Sequence, residues 1–305
     1  MAANIFVIGS SNTDMVIKSE RLPRPGETVL GGTFLMNAGG KGANQAVAAS
    51  RLNGSVILCA NVGNDVFGKE TIEHLMREGI NTDFVFQDAQ LPSGIALINV
   101  DEQGENCITV APGANTALTK DKIQHVLQQI TPDAVVLLQL EIPLETVEFV
   151  VTECHKRSAR VILNPAPAAR LKKETLQHLA VITPNETETQ LLTGVHPANN
   201  AAIERSVSIL HDFGISQVVV TLGERGAYWS DKNASGFATA PKVRAIDTTA
   251  GGDCFNGALA VALAEGYPLG EAVDFACKAA SISVTRMGAQ ASMPYRNELA
   301  YNPDL

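Results

Sequence analysis

The chain has 305 residues, of which 45% are hydrophobic, 5% aromatic and 18% charged, and its formal net charge at pH 7 is -9. This length suits one large α/β domain or two smaller ones, and the composition is that of a globular protein. The negative charge disfavours a nucleic acid or an anionic membrane surface as the main partner, although helix N-termini and a bound metal can still attract a small phosphorylated ligand.

The cysteines and the apolar runs indicate the cellular compartment in which we expect the protein. The five cysteines are widely spaced and form no Cys-x-x-Cys pair, which favours reduced thiols over a disulfide framework or a zinc site. The first apolar run has no basic segment before it, so we expect no signal peptide. No apolar run approaches the ~18 residues of a membrane span. We therefore expect a cytoplasmic protein.

Short continuous apolar runs predict strands, and most of them alternate with segments of helical periodicity. The predicted strands are 4–9, 55–60, 134–140, 160–163, 179–182 and 217–222. The predicted helices are 42–52, 66–78, 143–158 and 199–213, followed by two consecutive Ala-rich helices at 251–265 and 269–286. Runs without polar alternation suit strands covered on both faces. The pattern predicts an α/β fold with a doubly wound, mostly parallel sheet flanked by helices.

Two stretches break this alternation, at about 12–37 and 93–110. Each contains alternating segments that predict a short antiparallel ribbon inserted into the α/β core. Together they would form a small β-sheet lid over the carboxyl ends of the main strands, where open α/β sheets bind ligands. Surface hairpins without such a role explain the pattern equally well. Because the chain contains no repeat or linker, we expect residues 1–305 to form a single domain with this lid.

The segment "DTTAGGDCFNGALA", residues 247–260, places two glycines and Asp253 directly before an apolar helical run. One interpretation is a helix N-cap, since Asp is among the residues preferred there. The other is a base beside a phosphate-binding turn, because glycine lets the first amides of a helix approach an anion closely.

Two further groups of residues carry possible binding chemistry. "GGKGAN", residues 39–44, is a glycine turn at a helix start that bears Lys41 and Asn44, and it fits neither a Walker A loop nor a dinucleotide-binding fingerprint. Asn12, Asp14 and Glu141 follow apolar strand runs, where they can accept hydrogen bonds from sugar hydroxyls. A tight structural turn, helix caps and solvated loops are the alternative interpretations.

Two segments of the second half suit a nucleotide. In "TPNETE", residues 183–188, Asn185 and Glu188 have the spacing of a capping box, and the same pair can hold the water shell of Mg²⁺. "TLGERG", residues 221–226, is a glycine turn after a strand, which suits either a nucleotide contact or a plain hairpin.

Taken in order, these segments closely resemble the PfkB-type carbohydrate kinase family. "GGKGANQAVAASRLNGSVILCANVGND" resembles the first family signature and "DTTAGGDCFNGALA" the second, with "NPAPA", "PNETE", "TLGERG" and "RMGAQASMP" as further matching segments. The resemblance covers essentially the whole chain. It implies transfer of the γ-phosphoryl group of ATP to O5 of D-ribose, feeding ribose into the pentose phosphate pathway, with Mg²⁺ required and K⁺ as activator. It also implies a homodimer formed through the lid.

The resemblance also assigns residues. Asp253 is the implied general base, and the backbone of Ala250, Gly251 and Gly252 the anion hole. The implied sugar-binding residues are Asn12, Thr13, Asp14, Gly40, Lys41, Gly42, Asn44, Glu141 and Asp253. The implied ATP-binding residues are Asn185, Glu188, Thr221, Leu222, Gly223, Glu224, Arg225, Gly226, Gly252 and Cys277. The implied cation ligands, mostly through backbone oxygens, are Asp247, Thr249, Ser283, Arg286, Gly288 and Ser292.

The sequence departs from the family pattern at the anion hole. The usual order is Gly-Ala-Gly-Asp, whereas this chain has Ala250-Gly251-Gly252-Asp253, which keeps the amides but predicts a more flexible loop. Glu224 and Cys277 stand where smaller or different residues are usual near ATP. Two other functions remain open: a kinase for a related sugar such as 2-deoxyribose, and a non-catalytic regulator that binds a sugar or a nucleotide.

Overall fold

The computed structural model describes residues 3–300. Its strands are β1 (Ile5–Ile8), β2 (Asn12–Lys18), β3 (Thr33–Gly39), β4 (Val56–Gly63), β5 (Asn81–Asp88), β6 (Gly94–Val100), β7 (Asn106–Ala111), β8 (Val135–Leu138), β9 (Arg160–Leu163), β10 (Val181–Ile182), β11 (Gln217–Thr221), β12 (Ala227–Ser230) and β13 (Ser235–Ala238). Its α-helices are α1 (Lys41–Arg51), α2 (Val66–Arg77), α3 (Lys120–Leu127), α4 (Leu144–Lys156), α5 (Lys173–Leu176), α6 (Glu186–Thr193), α7 (Asn200–Asp212), α8 (Gly251–Ala264) and α9 (Leu269–Ser283).

The main sheet confirms the predicted fold class. Its strand order is β13-β12-β11-β10-β9-β8-β1-β4-β5. The strands from β11 to β5 pair in parallel, and β12 and β13 add an antiparallel edge. Helices α1, α8 and α9 cover one face, and α3, α4 and α7 cover the other. Ile5 and Val7 of β1 pack into the first core cluster and Phe6 and Ile8 into the second, which explains the continuous apolar runs.

The six predicted strands and six predicted helices are present, with boundaries shifted by a few residues. The predicted strand 55–60 is β4, which continues to Gly63, and α9 ends at Ser283 instead of running to 286. The sequence pattern missed the edge strands β5, β12 and β13 and the short helices α3 and α5. None of the helices in the described part of the chain is both long and apolar enough to span a bilayer.

The two irregular stretches form one small four-stranded sheet in the order β3-β2-β6-β7. Each stretch is an antiparallel ribbon, β2 with β3 and β6 with β7, and the ribbons join through the parallel pair β2 and β6. Because β1 ends at Ile8 and β2 begins at Asn12, the small sheet starts at the carboxyl end of β1, an interior strand of the main sheet. The first residues of β2 therefore lie where parallel sheets bind ligands.

Candidate active site

Asp253 lies in the first turn of α8 and is buried, with 5% of its surface exposed. Its Oδ2 accepts a hydrogen bond of 3.0 Å from Asn44 Nδ2, and its Oδ1 accepts one of 2.9 Å from Gln45 Nε2. The N-cap of α8 is Ala250, and within residues 3–300 no side chain caps this end of the helix. The capping interpretation of Asp253 is therefore wrong, because its carboxylate bonds to α1 and not to its own helix.

The turn before α8 has an unusual backbone. Ala250 adopts a left-handed conformation with φ of 57°, which L-residues other than Gly, Asn and Asp rarely adopt. The amide of Gly251 donates to Thr248 O at 3.2 Å. A Cβ built on Gly252 would meet no atom of the described residues within 4 Å, so the start of the helix faces open space. The next first-turn amides, those of Gly252 and Asp253, have no intrahelical acceptor, so they are available to an anion.

Burial and neighbouring charges shift the pKa values of this cluster. Burial raises the pKa of Asp253, against the opposing effects of Lys41 and of the two amide donors. Burial alone would lower the pKa of Lys41, but Asp253, Glu141 and Glu188 together raise it. Burial, followed by the charges of Glu141 and Asp253, raises the pKa of Asp14 to about 6. One ammonium group thus stands among several carboxylates, which suits a ligand rich in hydroxyl groups.

Glycines bring the start of α1 against the connection between β1 and β2. Gly40 has φ of 87°, and a Cβ on it would lie 2.6 Å from Asn12 N. A Cβ on Gly42 would lie 2.6 Å from Ser10 N. A Cβ on Gly39 would overlap the Asp14 carboxylate. This close packing requires glycine and places Lys41 and Asn44 beside the first residues of β2.

Glu141 follows β8, and its side chain lies in the same region. Its Oε2 accepts from Ser10 Oγ at 2.5 Å and from the amide of Lys41 at 3.1 Å. Glu141 therefore lies close to Lys41 and to Asp14, whose pKa its charge raises.

Several buried side-chain amides near this region were not predicted from the sequence, among them Gln45, Gln139 and Asn115. Gln45 Oε1 accepts from Gln139 Nε2 at 2.6 Å, so the amide that contacts Asp253 is itself held. Asn115 Nδ2 donates to Asn12 Oδ1 at 2.8 Å, which turns the NH₂ group of Asn12 away from Asn115 and leaves it as a donor. For Gln45 a signal existed, since it is a polar residue within the small-residue stretch "ANQAVAAS".

The candidate nucleotide segments meet at the carboxyl ends of β10 and β11. Asn185 and Glu188 form the capping box of α6, with both reciprocal hydrogen bonds at 2.8 Å. The 221–226 turn lies beside them, because Arg225 forms an ion pair of 2.7 Å with Glu186. The turn is a hairpin between β11 and β12 that contains the 3-10 segment Gly223–Arg225, and Glu224 is exposed.

Cys277 is set apart from the other candidate nucleotide residues. Its side chain is buried in the core between α9 and the strand edge, with Sγ 3.9 Å from Ala238 O, and burial raises its pKa to about 12. The thiol therefore behaves as a packing group, and a nucleotide contact at this position stays a prediction.

The candidate cation residues come from two adjacent segments. Asp247 Oδ1 accepts from the amide of Thr249 and Oδ2 from the amide of Gly288, each at 2.9 Å. Although burial opposes them, these hydrogen bonds lower the pKa of Asp247, so it keeps its charge. The other candidates meet nearby: Ser283 Oγ lies 2.8 Å from Ser292 Oγ, and the guanidinium of Arg286 pairs with Glu298. Among the described residues, no three His, Cys, Asp or Glu side chains form a metal-binding group.

One large cleft is lined by four of the candidate residues: Asp14, Asp247, Thr249 and Gly288. It has a volume of about 1100 Å³ and lies between the small sheet, including Asp14 and Val16, and the segments 245–249 and 287–289. The start of α8 follows directly after the first of these segments. The cleft therefore has room for a small polar ligand beside the segment that leads into α8.

Comparison with known proteins identifies the family. Residues 2–296 match the model of the pfkB family of carbohydrate kinases. A ribokinase of Haemophilus influenzae is 42% identical over 298 residues, which are 98% of this chain and 97% of that protein. A structure of Arabidopsis thaliana ribokinase complexed with ribose and ATP has a TM-score of 0.90 and 33% identity, and covers 98% of both chains. A deoxyribokinase of Salmonella typhi is 36% identical and covers 95% of both chains.

These similarities extend over nearly the full length of the chain and of its relatives, and they confirm the resemblance that the two sequence signatures indicated. The fold agrees with them. The chain belongs to the pfkB family of carbohydrate kinases.

Proposed function

We propose that this phosphotransferase transfers the γ-phosphoryl group of ATP to O5 of D-ribose. The observation that carries the proposal is the buried carboxylate of Asp253, held by Asn44 and Gln45 at the open start of α8. A regulator that only binds its ligand does not need a base at this point. The similarity to ribokinases over the whole chain supports ribose as the sugar.

In the proposed mechanism, β2 and α1 hold the sugar. The NH₂ group of Asn12 donates to a sugar oxygen, since its carbonyl is occupied by Asn115. Asp14 and Glu141 accept from sugar hydroxyls, and Lys41 and Asn44 add donors on the opposite side. Thr13, Gly40 and Gly42 supply the backbone that lets the sugar approach. The contacts fix O5 beside Asp253, and such positioning supplies much of the rate of a phosphoryl transfer.

Asp253 then removes the proton of the attacking hydroxyl as the new O–P bond forms. The first-turn amides of Gly252 and Asp253 would face the negative charge that spreads over the transferring group, whereas the amide of Gly251 donates to Thr248 O. Gly252 leaves the space in front of these amides open. Burial favours a proton on Asp253, which suits a group that must hold the proton after transfer.

ATP would lie along the 221–226 turn and the start of α6. The oxygen atoms of Asn185 and Glu188 suit Mg²⁺, which takes oxygen ligands and keeps several waters. When bound, Mg²⁺ would neutralise charge on the phosphates. The capping box holds both side chains in place, and burial raises the pKa of Glu188.

A monovalent cation site is the second ion proposal. The charged Asp247 and the backbone oxygens of Thr249, Ser283, Arg286, Gly288 and Ser292 would supply the oxygen ligands, because K⁺ accepts backbone carbonyl ligands. The ion would stabilise the segment that leads into the anion hole. Replacing K⁺ by a large organic cation at constant ionic strength should lower turnover; unchanged turnover would contradict the site.

The central experiment is a coupled assay of ATP consumption with ribose, 2-deoxyribose, fructose and adenosine. We expect ribose to be preferred and Asp253→Asn to lower turnover by at least ~10²-fold with sugar binding retained, because only the base is removed. Asp121→Asn, an exposed carboxylate on α3, is the matched control and should keep full turnover. Normal turnover of Asp253→Asn would remove Asp253 from its role.

A kinase for 2-deoxyribose is the second candidate, favoured by the similarity to a deoxyribokinase. The pair Asn12 and Asp14 favours a sugar that presents both O2 and O3. 2-Deoxyribose has no O2, so this pair favours ribose. A higher kcat/KM for 2-deoxyribose than for ribose would decide for the alternative.

We also propose a homodimer in which two small sheets pack against each other. The face of the small sheet turned away from the cleft carries exposed apolar side chains, including Ile17, Phe34, Met36 and Leu97. Exposed apolar patches of this kind mark interaction surfaces. A cytoplasmic location stays a prediction, supported by the use of ATP.

A further inference from the structure

A chain of buried side-chain amides connects the candidate base to the C-terminal 3-10 segment Gln290–Ser292. Asp253 accepts from Asn44 Nδ2 at 3.0 Å, and Asn44 Oδ1 accepts from Gln290 Nε2 at 3.1 Å. Gln290 Oε1 in turn lies 2.9 Å from His74 Nε2, so an N–H at that ring nitrogen completes the chain. Asn44 and Gln290 are 5% and 4% exposed, which leaves little room for water to replace either partner.

The chemistry of the groups fixes the direction of every hydrogen bond in this chain. A carboxylate only accepts, so Asn44 must turn its NH₂ group towards Asp253. Its carbonyl then faces Gln290 and requires a donor, which the NH₂ group of Gln290 supplies. The reversed orientation of Asn44 would place a carbonyl oxygen against a carboxylate oxygen and leave buried donors unpaired, which is unfavourable.

We propose that Gln290 is a positioning residue of the phosphoryl transfer. It holds the Asn44 amide in the orientation that donates to Asp253, and so fixes the carboxylate that takes the sugar proton. The inference rests on the proposed role of Asp253 as the base. Without the donor from Gln290, the Asn44 amide is free to rotate, and a base displaced by about 1 Å can lose ~10²-fold in rate.

The position of Gln290 gives this contact a wider reach. Gln290 lies between Gly288 and Ser292, two of the candidate cation ligands, and its backbone oxygen accepts from Arg51 Nη1 at 2.8 Å. The segment is thus anchored to the end of α1 while its side chain reaches the beginning of the same helix. Displacement of the candidate cation segment, which contains Gln290, would therefore be transmitted to Asp253 through the Asn44 amide.

The test compares two variants of Gln290 in the ribose-dependent assay. Gln290→Met keeps the length of the side chain without a donor, and Gln290→Glu keeps its shape but presents an acceptor to Asn44 Oδ1. We expect kcat to fall ~10-fold in Gln290→Met and ~10²-fold in Gln290→Glu, with the KM for ATP unchanged, because the base is misplaced and the nucleotide site is not. In an Asn44→Ala background, Gln290→Met should lower kcat no further.

Thr146→Val is the matched control, since Thr146 is equally buried and donates a hydrogen bond of 2.9 Å to Leu118 O, within the core of the other face of the sheet. It should keep kcat. Trp229 fluorescence shows whether each variant is folded. If one Gln290 variant does not fold, the kcat of the other one tests the proposal.

A kcat near the wild-type value in the Gln290 variants would overturn the proposal. So would a loss from Gln290→Met that multiplies with the loss from Asn44→Ala, because the two residues would then act independently. A wild-type protein that phosphorylates none of the sugars would instead contradict the proposed function, and this inference with it.

Discussion

Asp14 shows at the scale of one residue how binding chemistry opposes stability. Burial and the charges of Glu141 and Asp253 raise its pKa to about 6, so at pH 7.5 the folded protein holds a carboxylate that its surroundings disfavour. The unfolded chain, in which the pKa is near 3.8, has no such difficulty. The ionised group therefore lowers the free energy of unfolding above pH 6, and protonation removes this penalty as the pH falls towards 4.

We predict that Asp14→Asn raises the free energy of unfolding at pH 7.5 by about 1–3 kcal/mol, because it removes a buried charge. The gain should shrink as the pH falls from 7 to 4, where wild-type Asp14 becomes protonated. Urea unfolding followed by the fluorescence of Trp229, the single tryptophan, measures both. The KM for ribose should rise ~10-fold or more, since a charged acceptor is lost.

The matched control for this prediction is Asp121→Asn, which removes an exposed carboxylate and should change neither the unfolding free energy nor the KM. An unfolding free energy of Asp14→Asn equal to that of the wild type at both ends of the pH range would contradict the prediction.

At the scale of elements, the sequence predicts a strand most reliably where all of its residues are buried. The strands of the sheet centre are covered on both faces and read as continuous apolar runs, as in "IFVI" and "VVLL". The edge strand β5, "NTDFVFQD", mixes exposed polar residues with half-buried ones, so its pattern resembles a loop. Helix α5 has four residues, too few to show a period.

The pairing of the side-chain amides around the base could not be predicted, for a different physical reason. Asn44 and Gln290 are 246 residues apart in sequence, and Gln45 and Asp253 are 208 apart. No local period or turn pattern records such a pairing, because it depends on how α1, α8 and the C-terminal segment pack. Asp253 itself could be predicted, since glycines and an acidic residue at a helix start form a local pattern.

The start of α8 also contains a strained backbone conformation, and the order of the residues Ala250-Gly251-Gly252-Asp253 did not by itself reveal it. Ala250 has φ of 57°, a conformation in which glycine avoids a Cβ clash. The family order, with glycine first, places glycine at this point. The loop in this chain is therefore strained at Ala250, and its greater flexibility stays a prediction.

We predict that Ala250→Gly raises the free energy of unfolding by about 1 kcal/mol, because the strain of the left-handed residue is relieved. Turnover should change little, since the amides of the turn are kept. Lys232→Gly is the matched control: Lys232 has φ of 71° in the exposed turn between β12 and β13, so it should stabilise by a similar amount. Urea unfolding measures both variants, and destabilisation by Ala250→Gly would show that the side chain matters more than its backbone.

At the scale of the whole molecule, the two faces of the small sheet have different tasks. Because side chains alternate along a strand, Asp14 and Val16 of β2 line the cleft while Ile17 points to the other side. Ile17 pairs with Phe34 across β2 and β3, and Met36 lies further along the same face. An apolar face of this kind is stable in water when it is covered, and a second copy presents the matching surface under two-fold symmetry.

We predict that Phe34→Asp converts a dimer into a monomer in light scattering coupled to gel filtration, because two carboxylates would meet in the apolar contact. Met76→Lys, an equally exposed apolar side chain on α2, should leave the dimer intact. Loss of the dimer should raise the KM for ribose more than it lowers kcat, since β2 carries the sugar-binding residues and α8 the base. A monomeric wild type, or a dimer that survives Phe34→Asp, would place the interface elsewhere and leave this face unexplained.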